Sequence, residues 1–487
     1  MNPQSIGFLS FCVVVLTANG LLQRFSVRWQ NGLLLLASCV FYAMADWVML
    51  FLMMGMSVVY WWLGGLLKRL MNKGRTADAS RLTTFSVCIA ICLLCYFKYL
   101  GFFVEQVGCL LQMFGIHSSL SLSILLPLGL SFYTFKLISY IIEIHREHIE
   151  PCDNLMTFSL YISFFPTVMA GPIDRSGTFL PQLKKTRRVD ADALIQGAKT
   201  MLWGYFLKIC IADPLSLATD ETWNTFDSLP ASTVLAAALI YPIQMYADFC
   251  GYSCIAIGLG RMLGLVVTEN FNRPFLARNV AEYWRRWHMS LTNWLTDYVF
   301  MPLNITWREY GNRGIMLAII VNMIVVGIWH GANWTYLLFG LYHGLLFLPL
   351  IYSGTFTRKK KLKPGKWGLP TLHDGMYMVG TYLLVTIGFV AFRAPDVGSI
   401  FGFLGAIFDS SIMEIPHIPQ FRLLYLAFIA ILLVNDWIYR DSPSPLHFNG
   451  TGLFRYRLVR WFIYYLLLFA IYIYSDAESQ QFIYVQF

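Results

Sequence analysis

The sequence is poor in charged residues. Only 13% of its 487 residues are Asp, Glu, Lys or Arg, against about 25% in a typical soluble protein. Hydrophobic residues make up 57%, which leaves too little polar surface to keep a globular domain dissolved. The composition therefore excludes an ordinary soluble enzyme, a disordered chain and a collagen-like chain. Because the apolar runs are continuous rather than alternating, we expect an all-α polytopic integral membrane protein.

The sequence also lacks the motifs of several common chemistries. It has no P-loop, G-x-G-x-x-G or G-x-S-x-G in a suitable context, so ATP hydrolysis, dinucleotide redox chemistry and serine hydrolysis have no sequence support. The ten cysteines form no secreted disulfide framework, since most lie inside apolar runs. Glu143, His145 and His148 resemble metal ligands but lack the i, i+4 histidine pair of a zinc-protease helix. We therefore predict no metal site.

Apolar runs recur along the whole chain. Crossing a bilayer takes roughly 20 apolar residues per helix, and the runs predict a bundle of roughly 11–12 transmembrane helices. The first is expected to be a retained anchor rather than a signal peptide, because no basic segment precedes it. The expected crossings are 5–22, 31–45, 47–66, 83–103, 120–142, 195–212, 231–258, 314–330, 333–352, 375–393, 421–438 and 458–474.

Basic loops assign the two sides of the membrane. If the crossings alternate, the Lys- and Arg-rich loops near residues 24–28, 68–75, 184–188, 358–361 and 455–460 all fall on one side. The positive-inside bias marks that side as cytoplasmic and places both termini outside. Membrane topology thus accounts for the formal net charge of +9, and we expect membrane lipid and no nucleic acid as a partner.

Two apolar stretches do not have the pattern of a simple crossing. Residues 155–175 are broken by Pro166, Gly171 and Pro172, which predicts a re-entrant or interfacial segment buried in protein. Residues 281–300 are too polar to span a bilayer, but their apolar residues recur at helical spacing. This second pattern predicts an amphipathic helix on the cytoplasmic side.

Ionisable and imidazole side chains inside apolar runs are candidate functional groups, because a charged residue there costs roughly 2.5–3.5 kcal/mol on insertion scales. The candidates are Lys98, Lys136, Asp248, His288, His330, His343 and Asp436. Asp248 either orients a functional group or pairs with a lysine for packing, and the sequence leaves both open.

His330 is the most distinctive of these residues. The run that it closes, from Gly314, is about 25 Å long as a helix, which is shorter than the hydrocarbon core. The imidazole is therefore expected inside the protein, neutral and able to accept a proton. Trp329 and Trp334 are expected to wall a pocket around it, and Gly331 to allow close approach of a ligand or backbone. The alternative is a structural histidine bonded to a neighbouring helix.

His288 follows two arginines on the apolar stripe of residues 281–300. One interpretation is a second imidazole facing the same pocket, with Arg285 and Arg286 holding an anionic donor. The other is an interfacial helix whose arginines extend to the membrane surface.

These segments together resemble the membrane-bound O-acyltransferase (MBOAT) family, in particular its bacterial polysaccharide O-acetylase branch. The matching segments are SFYTFKLISY (131–140), FFPTVMAGPIDR (164–175), QMYADFCGYSCIAIGLGRMLG (244–264), ENFNRPF (269–275), EYWRRWHMSLTNWLTDYVFMPL (282–303) and GIWHGANWTYLLFGLYHG (327–344). The resemblance implies an MBOAT-type helical bundle over residues 1–474 in a bacterial cytoplasmic (inner) membrane.

The resemblance also implies roles for individual residues. His330 corresponds to the catalytic histidine of the family, and His288 to its second signature residue. The acyl group would come from a cytoplasmic thioester, acetyl-CoA or an acyl carrier protein, as a co-substrate rather than a bound cofactor. Further donor- or substrate-binding residues are expected to be Arg285, Arg286, Trp284, Trp287, Trp329, Asn333 and Asp248.

The extracytoplasmic tail, residues 475–487, ends in Phe482-Ile-Tyr484-Val-Gln-Phe487, an F-x-Y-x-x-F motif. In systems resembling this one, the tyrosine of such a motif is proposed to carry the acyl group transiently. The resemblance thus makes Tyr484 a candidate carrier that passes the acyl group to an SGNH-type partner enzyme and then to polysaccharide. The alternative for the tail is an aromatic anchor at the membrane interface.

Three functions remain open at this point. The leading one is transfer of an acetyl group across the membrane, with His330 as general base. The second is D-alanyl transfer to teichoic acid, which the same histidines and tail would serve. The third is a transporter without covalent chemistry, which the buried charges also fit.

Overall fold

A computed structural model of the chain describes residues 3–116, 122, 124–358, 365, 368–442, 445–446, 448, 452–475, 480 and 482. Within these ranges all regular secondary structure is helical, which confirms the all-α prediction. Contacts between Cα atoms divide the chain into two compact units, Met1–Met201 with Ala256–Thr268 and Leu202–Ile255 with Glu269–Phe487. The separate tail expected over 475–487 stays a prediction, because only Ser475, Gln480 and Phe482 are described there.

Nine helices in the described part of the chain are long and apolar enough to cross a membrane. They span Ile6–Arg24, Val27–Asn72, Thr76–Lys98, Ala191–Ser228, Ala231–Met262, Asn312–His330, Trp334–Tyr352, Leu372–Arg393 and Arg457–Tyr474. Three shorter apolar helices accompany them, Leu100–Met113, Val397–Ala406 and Leu423–Ile438. The chain is therefore a multi-pass membrane protein, as its composition predicts.

The first unit contains eight complete helices. They are α1 (Ile6–Leu21), α2 (Val27–Asn72), α3 (Thr76–Lys98), α4 (Leu100–Met113), α5 (Leu130–His145), α6 (Leu155–Ser163), α7 (Phe165–Val168) and α8 (Ser176–Leu183). Two further helices, α9 (Ala191–Tyr205) and α11 (Ala231–Met262), contribute residues to both units.

Helix α2 covers two of the predicted crossings, 31–45 and 47–66. It is interrupted at Asp46, whose backbone is extended (φ −155°, ψ 101°). The Asp46 carboxylate accepts hydrogen bonds from the amides of Val48 and Met49, both at 3.0 Å. Asp46 thus caps the start of the second half of the helix, at the boundary between the two predicted runs.

The segment predicted to be broken is broken and buried. α6 and α7 are short, and nearly every residue from Thr157 to Asp174 is buried. Lys136, itself buried, donates to the carbonyl of Tyr161 (3.2 Å) and the hydroxyl of Thr167 (3.3 Å). One of the predicted candidates therefore ties α5 to this segment, where irregular backbone needs polar partners.

The second unit contains the remaining helices. They are α10 (Asp213–Thr225), α12 (Val280–Trp284), α13 (Met289–Leu295), α14 (Met301–Thr306), α15 (Asn312–His330), α16 (Trp334–Leu346), α17 (Leu348–Tyr352), α18 (Leu372–Arg393), α19 (Val397–Ala406), α20 (Leu423–Ile438) and α21 (Arg457–Tyr474). Two wider, π-helical turns occur in it, Phe206–Ala212 and Thr296–Phe300.

The prediction of one amphipathic helix over residues 281–300 is wrong. The segment consists of α12, a break at Arg285–His288, then α13 and a π-helical turn. The break is at His288, which has a left-handed backbone (φ 44°, ψ 52°). Helical spacing did not reveal this break, because Trp284, Leu291 and Leu295 keep that spacing in the sequence across it.

Helices α15 and α16 form a tight antiparallel hairpin. A Cβ atom at Gly327 would overlap the carbonyl oxygen of Tyr336, and one at Gly340 would overlap that of Met323. Gly344, four residues after Gly340, would bring a Cβ to 3.1 Å from the Cα of Ile320. Small residues at this spacing let helix backbones approach closely, as in other membrane helices. The hairpin fixes the loop 331–333 and the residues on either side of it.

Candidate functional site

His330 is the last residue of α15, and its imidazole is enclosed by aromatic rings. Ring centroids lie at 4.9 Å for Trp329, 4.9 Å for Phe392, 6.0 Å for Phe339 and 6.3 Å for Tyr336. Only 3% of the residue is exposed. The prediction that this histidine lies inside the protein is confirmed.

The walls of this enclosure differ from the predicted ones. Trp334, expected to flank His330, is 53% exposed. Tyr336 takes that place because Gly331 carries no side chain: a Cβ there would lie 2.5 Å from the Tyr336 ring. The expected close approach at Gly331 is therefore made by an aromatic ring of α16.

Asn333 has a structural role in the same hairpin. Its carboxamide oxygen accepts a hydrogen bond from the Thr335 amide (3.0 Å) and caps the start of α16. Its Nδ2 donates to the carbonyl of Pro395 at 2.7 Å. Asn333 therefore fixes the loop that follows His330, and its predicted binding role stays a prediction.

His288 lies near the same enclosure, on the other side of Trp329. The Trp329 ring centroid is 5.7 Å from that of His288, and the Phe249 ring lies 4.6 Å from the same imidazole. The indole of Trp329 thus contacts both predicted histidines. This places His288 and His330 in one aromatic cluster of the second unit, as the paired motifs led us to expect.

The hydrogen bonds of Asn270 define the tautomer of His288. Asn270 Oδ1 accepts from the backbone amide of Ser290 (3.3 Å) and from its hydroxyl (2.9 Å), which identifies this atom as the oxygen. His288 Nδ1, 3.0 Å away, must therefore carry the proton and donate it. Nε2 is then the basic nitrogen of the ring. Burial lowers the pKa of His288 to about 3, so the ring is neutral at physiological pH.

His343 joins the cluster as a third imidazole. Trp284 Nε1 donates to His343 Nδ1 at 3.3 Å, and the Phe339 ring, which borders His330, lies 4.7 Å from the His343 ring. A Cβ at Gly388 would overlap His343 Nε2, so α18 also packs closely against this ring. The sequence marked His343 as a buried imidazole but gave it no role. The signal that pointed to it was an imidazole inside an apolar run of the sequence.

A cavity of about 260 Å³ lies beside this cluster. Four residues of α15 line it: Ile319, Asn322, Met323 and Val326. At 100° per residue these four lie on one face of the helix, and His330, four residues after Val326, continues the same face. The cavity therefore lies along the face of α15 that His330 continues.

Two of the predicted donor-binding residues line this cavity. They are Trp284 and Arg285, which face the α15 stripe together with Thr292 and Phe356. Arg285 also donates to the carbonyl of Phe356 at 3.2 Å. The cavity thus has apolar walls, one cationic residue and a few hydroxyl and amide groups.

The other arginine and tryptophan of the motif contact neighbouring residues of the protein, and their predicted binding roles stay predictions. Arg286 pairs with Glu282 at 2.8 Å and donates to the carbonyl of Asn272 at 3.1 Å. Trp287 is buried and stacks on Tyr283, with ring centroids 5.6 Å apart. Neither residue lines the cavity.

Asp248 forms a buried ion pair. Its carboxylate lies 2.6 Å from Lys208 Nζ, which also lies 2.8 Å from the carboxylate of Asp213. The pairing alternative that the sequence left open for Asp248 is therefore observed. Asp436, another candidate, accepts a hydrogen bond from the Tyr246 hydroxyl at 2.9 Å.

Two predictions about the site are not decided by these contacts. Tyr484 lies outside the described residues. Among the residues that the structure describes, no three His, Cys, Asp or Glu side chains group as metal ligands, and His148 pairs with Glu143 at 2.9 Å. The prediction of no metal site stays a prediction.

Comparison with known proteins identifies the family. The model of the membrane-bound O-acyltransferase family matches residues 146–387. A probable alginate O-acetylase of Pseudomonas aeruginosa is 36% identical over 402 residues, which are 81% of this chain and 73% of that protein. The chain belongs to the membrane-bound O-acyltransferase family. It is therefore an acyltransferase, and a transporter without covalent chemistry is no longer an alternative.

Other relatives of this O-acyltransferase differ in the group that they transfer. A peptidoglycan O-acetyltransferase of Helicobacter pylori is 28% identical over 447 residues, 85% of this chain and 79% of that protein. A teichoic acid D-alanyltransferase of Streptococcus thermophilus is 33% identical over 254 residues, 49% of this chain and 59% of that protein. The family match includes all three imidazoles of the cluster.

The buried ring of His288 predicts a pH dependence of stability. Its pKa is about 3 in the folded protein and near 6.5 in an unfolded chain, so the folded state binds fewer protons between these values. The stability that the neutral ring contributes is complete above about pH 6.5 and is lost as the pH falls towards 3. We expect thermal unfolding of the O-acyltransferase in detergent to depend less on pH in this range in His288→Gln than in the wild type.

The matched control for this measurement is His373→Gln, which removes an exposed imidazole. Its pH dependence should equal that of the wild type. If the unfolding temperatures of the wild type and His288→Gln changed with pH by the same amount, the pKa of His288 would not differ between the folded and unfolded states.

Proposed function

We propose that this acyltransferase O-acetylates a cell-envelope or exported polysaccharide, taking the acetyl group from a cytoplasmic thioester. The observation that carries the proposal is the position of His330, which closes the cavity-lining face of α15 inside an aromatic enclosure. The relatives named for alginate and peptidoglycan O-acetylation support polysaccharide as the final acceptor. The bacterial inner membrane, with both termini outside, is the location that fits such a reaction.

The cavity is the proposed site for the acyl end of the donor. It lies along α15 before His330, and the positive-inside bias places the start of this helix on the cytoplasmic side. Its apolar wall suits the acyl group and the uncharged arm of a thioester donor, acetyl-CoA or an acyl carrier protein. Arg285 is the cationic residue that would meet an anionic or polar part of that donor.

His330 is the proposed general base. The incoming hydroxyl oxygen attacks the thioester carbonyl while its proton moves to the imidazole, and the departing thiolate then takes a proton from the imidazolium. The products are an ester and a free thiol. Two features favour this assignment: the enclosure excludes water that would hydrolyse the thioester, and the last carbonyls of a helix stabilise a cation at its C-terminal end.

Tyr484 is the proposed first acceptor, and an SGNH-type partner outside the membrane then moves the acetyl group to polysaccharide. The tail motif supplies a phenol on the side opposite to the donor. Transfer through a tyrosine carries only the acyl group across, so that the charged donor never enters the hydrocarbon core. A phenol has a pKa near 10 and needs a base to react at neutral pH, which is the role given to His330.

D-alanyl transfer is the second candidate, because D-alanyltransferases are among the relatives. A D-alanyl group carries an ammonium that an acyl site would have to accommodate. Among the described residues that line the cavity, none is acidic and one is Arg285. An ammonium there would face a like charge without a carboxylate partner, so the lining favours the uncharged acetyl group.

Replacing His330 by alanine tests the general base. We expect His330→Ala to lower the rate of acyl transfer about 10²–10⁴-fold while the protein still inserts and purifies. The measurement is transfer of radiolabelled acetyl groups by purified protein in nanodiscs. His373→Ala, which removes an exposed imidazole, should keep the wild-type rate. A fully active His330→Ala sample would remove the general-base assignment.

Filling the cavity tests the donor site. Val326→Phe places a larger side chain on the face of α15 that lines the cavity. Ile328→Phe adds the same ring on the opposite face of the helix, where Ile328 is 41% exposed. We expect the first variant to lower kcat/KM for the donor about tenfold or more and the second to leave it unchanged. Equal kinetics for the two variants would contradict donor binding in this cavity.

Substitution of Tyr484 tests the carrier. Tyr484→Phe removes the hydroxyl, so labelled acetyl groups should no longer reach the polysaccharide in membranes that contain the partner enzyme. Mass spectrometry of the wild-type tail should find a net gain of about 42 Da for acetyl or about 71 Da for D-alanyl, which is the mass of each group less the hydrogen that it replaces. Normal labelling of polysaccharide by Tyr484→Phe would exclude the tyrosine as an obligatory carrier.

A further inference from the structure

Lys208 is a buried cation that the proposed reaction does not use. It lies in the π-helical turn Phe206–Ala212 and is 1% exposed. Its ammonium lies 2.6 Å from the carboxylate of Asp248 and 2.8 Å from that of Asp213. π-Helical turns inside helices frequently mark functional positions. A charge buried this deeply needs partners on every side that it presents.

The third neighbour of this ammonium comes from the C-terminal tail. Lys208 Nζ lies 4.2 Å from the centroid of the Phe482 ring, within the range of a cation–π contact. The same ring makes an edge-to-face contact with Tyr252 at 5.1 Å, and only 3% of Phe482 is exposed. The first aromatic residue of the tail motif is thus enclosed in the helical bundle of the second unit.

Helix α11 links this contact to the histidine cluster. Asp248 and Tyr252 are four residues apart and lie on one face of the helix, where they meet Lys208 and Phe482. Phe249, one of the three residues between them, packs on His288 with ring centroids 4.6 Å apart. One short stretch of α11 therefore contacts both the tail and the imidazole cluster.

We propose that Lys208, held between Asp213 and Asp248, is a docking site for the chain's own tail, with Phe482 as the residue that it binds. This inference rests on the proposed function, because the docked tail matters for catalysis only if Tyr484 is the acyl carrier. Tyr484 is two residues after Phe482, so its Cα can be no further than about 7 Å from the Phe482 Cα, and docking of Phe482 tethers the proposed carrier to this part of the bundle. The tail is then a tethered substrate that does not have to be captured from solution.

Photocrosslinking in the full chain tests the contact. A benzoylphenylalanine is introduced at position 482, the protein is placed in nanodiscs without donor, and crosslinked peptides are mapped by mass spectrometry. We expect crosslinks to the segments around Lys208 and Tyr252. The matched control has the same probe at Phe462, which is 67% exposed on α21, and should not label those segments. Crosslinks from position 482 only to lipid or to other segments would overturn the proposal.

Fluorination of Phe482 tests whether the ring face binds the ammonium. Mono-, tri- and pentafluorophenylalanine keep the shape of the ring and its apolar character but progressively remove the negative charge of its face. We expect protease Glu-C to release the tail, by cleavage after Glu478, about tenfold faster for the pentafluoro ring than for phenylalanine, with the others between them in order. Equal release rates across the series would mean that packing alone holds the Phe482 ring, and would reject Lys208 as the docking group.

Both readouts are taken without an acyl donor, which separates this inference from the carrier proposal. A docked tail whose Tyr484 never gains an acyl group refutes the carrier and keeps the dock. An acylated Tyr484 on a tail that neither crosslinks near Lys208 nor responds to fluorination refutes the dock and keeps the carrier.

Discussion

The enclosure of the His330 imidazole by aromatic rings is the constraint on which the second unit depends. A polar ring at this depth has to be excluded from lipid and from bulk water, and the rings that exclude them come from three helices. Trp329 is on α15, Tyr336 and Phe339 are on α16, and Phe392 is on α18. Gly327 and Gly340 let α15 and α16 approach closely, and Gly331 leaves room for the Tyr336 ring. The catalytic candidate and the packing of the hairpin are therefore one structural feature.

Hydrogen bonds give two of the imidazoles opposite tautomers. His288 donates from Nδ1 to Asn270, which leaves Nε2 basic, whereas His343 accepts at Nδ1 from the Trp284 indole. Trp284 also lines the cavity, so His343 orients a wall of the proposed donor site rather than the reacting atoms. Buried imidazoles thus serve different purposes within one cluster, and each purpose is decided by the partner of a single nitrogen.

Several buried charges among the described residues are compensated locally. Lys136 binds a carbonyl and a hydroxyl of the broken segment, Lys208 lies between two carboxylates, and the buried Glu282 pairs with the half-buried Arg286. Because an uncompensated charge in the membrane is costly, each of these side chains also fixes the backbone that supplies its partners. The proposed dock for the tail follows the same rule, with an aromatic ring completing the surroundings of the ammonium.

The sequence by itself determined the helical, multi-pass class, the break at Asp46, the buried broken segment 155–175 and the inward position of His330. These follow from composition, run length and Pro or Gly interruptions, which act locally along the chain. It did not determine the break at His288, the presence of Tyr336 rather than Trp334 beside His330, or the contacts of Arg286, Trp287 and Asn333. Those were decided by tertiary structure, because they depend on partners such as Asn270 and Glu282 and on glycine contacts between helices. Helical periodicity records which face is apolar but not what lies against it, so the pairing of side chains across the bundle appears only when the helices are packed.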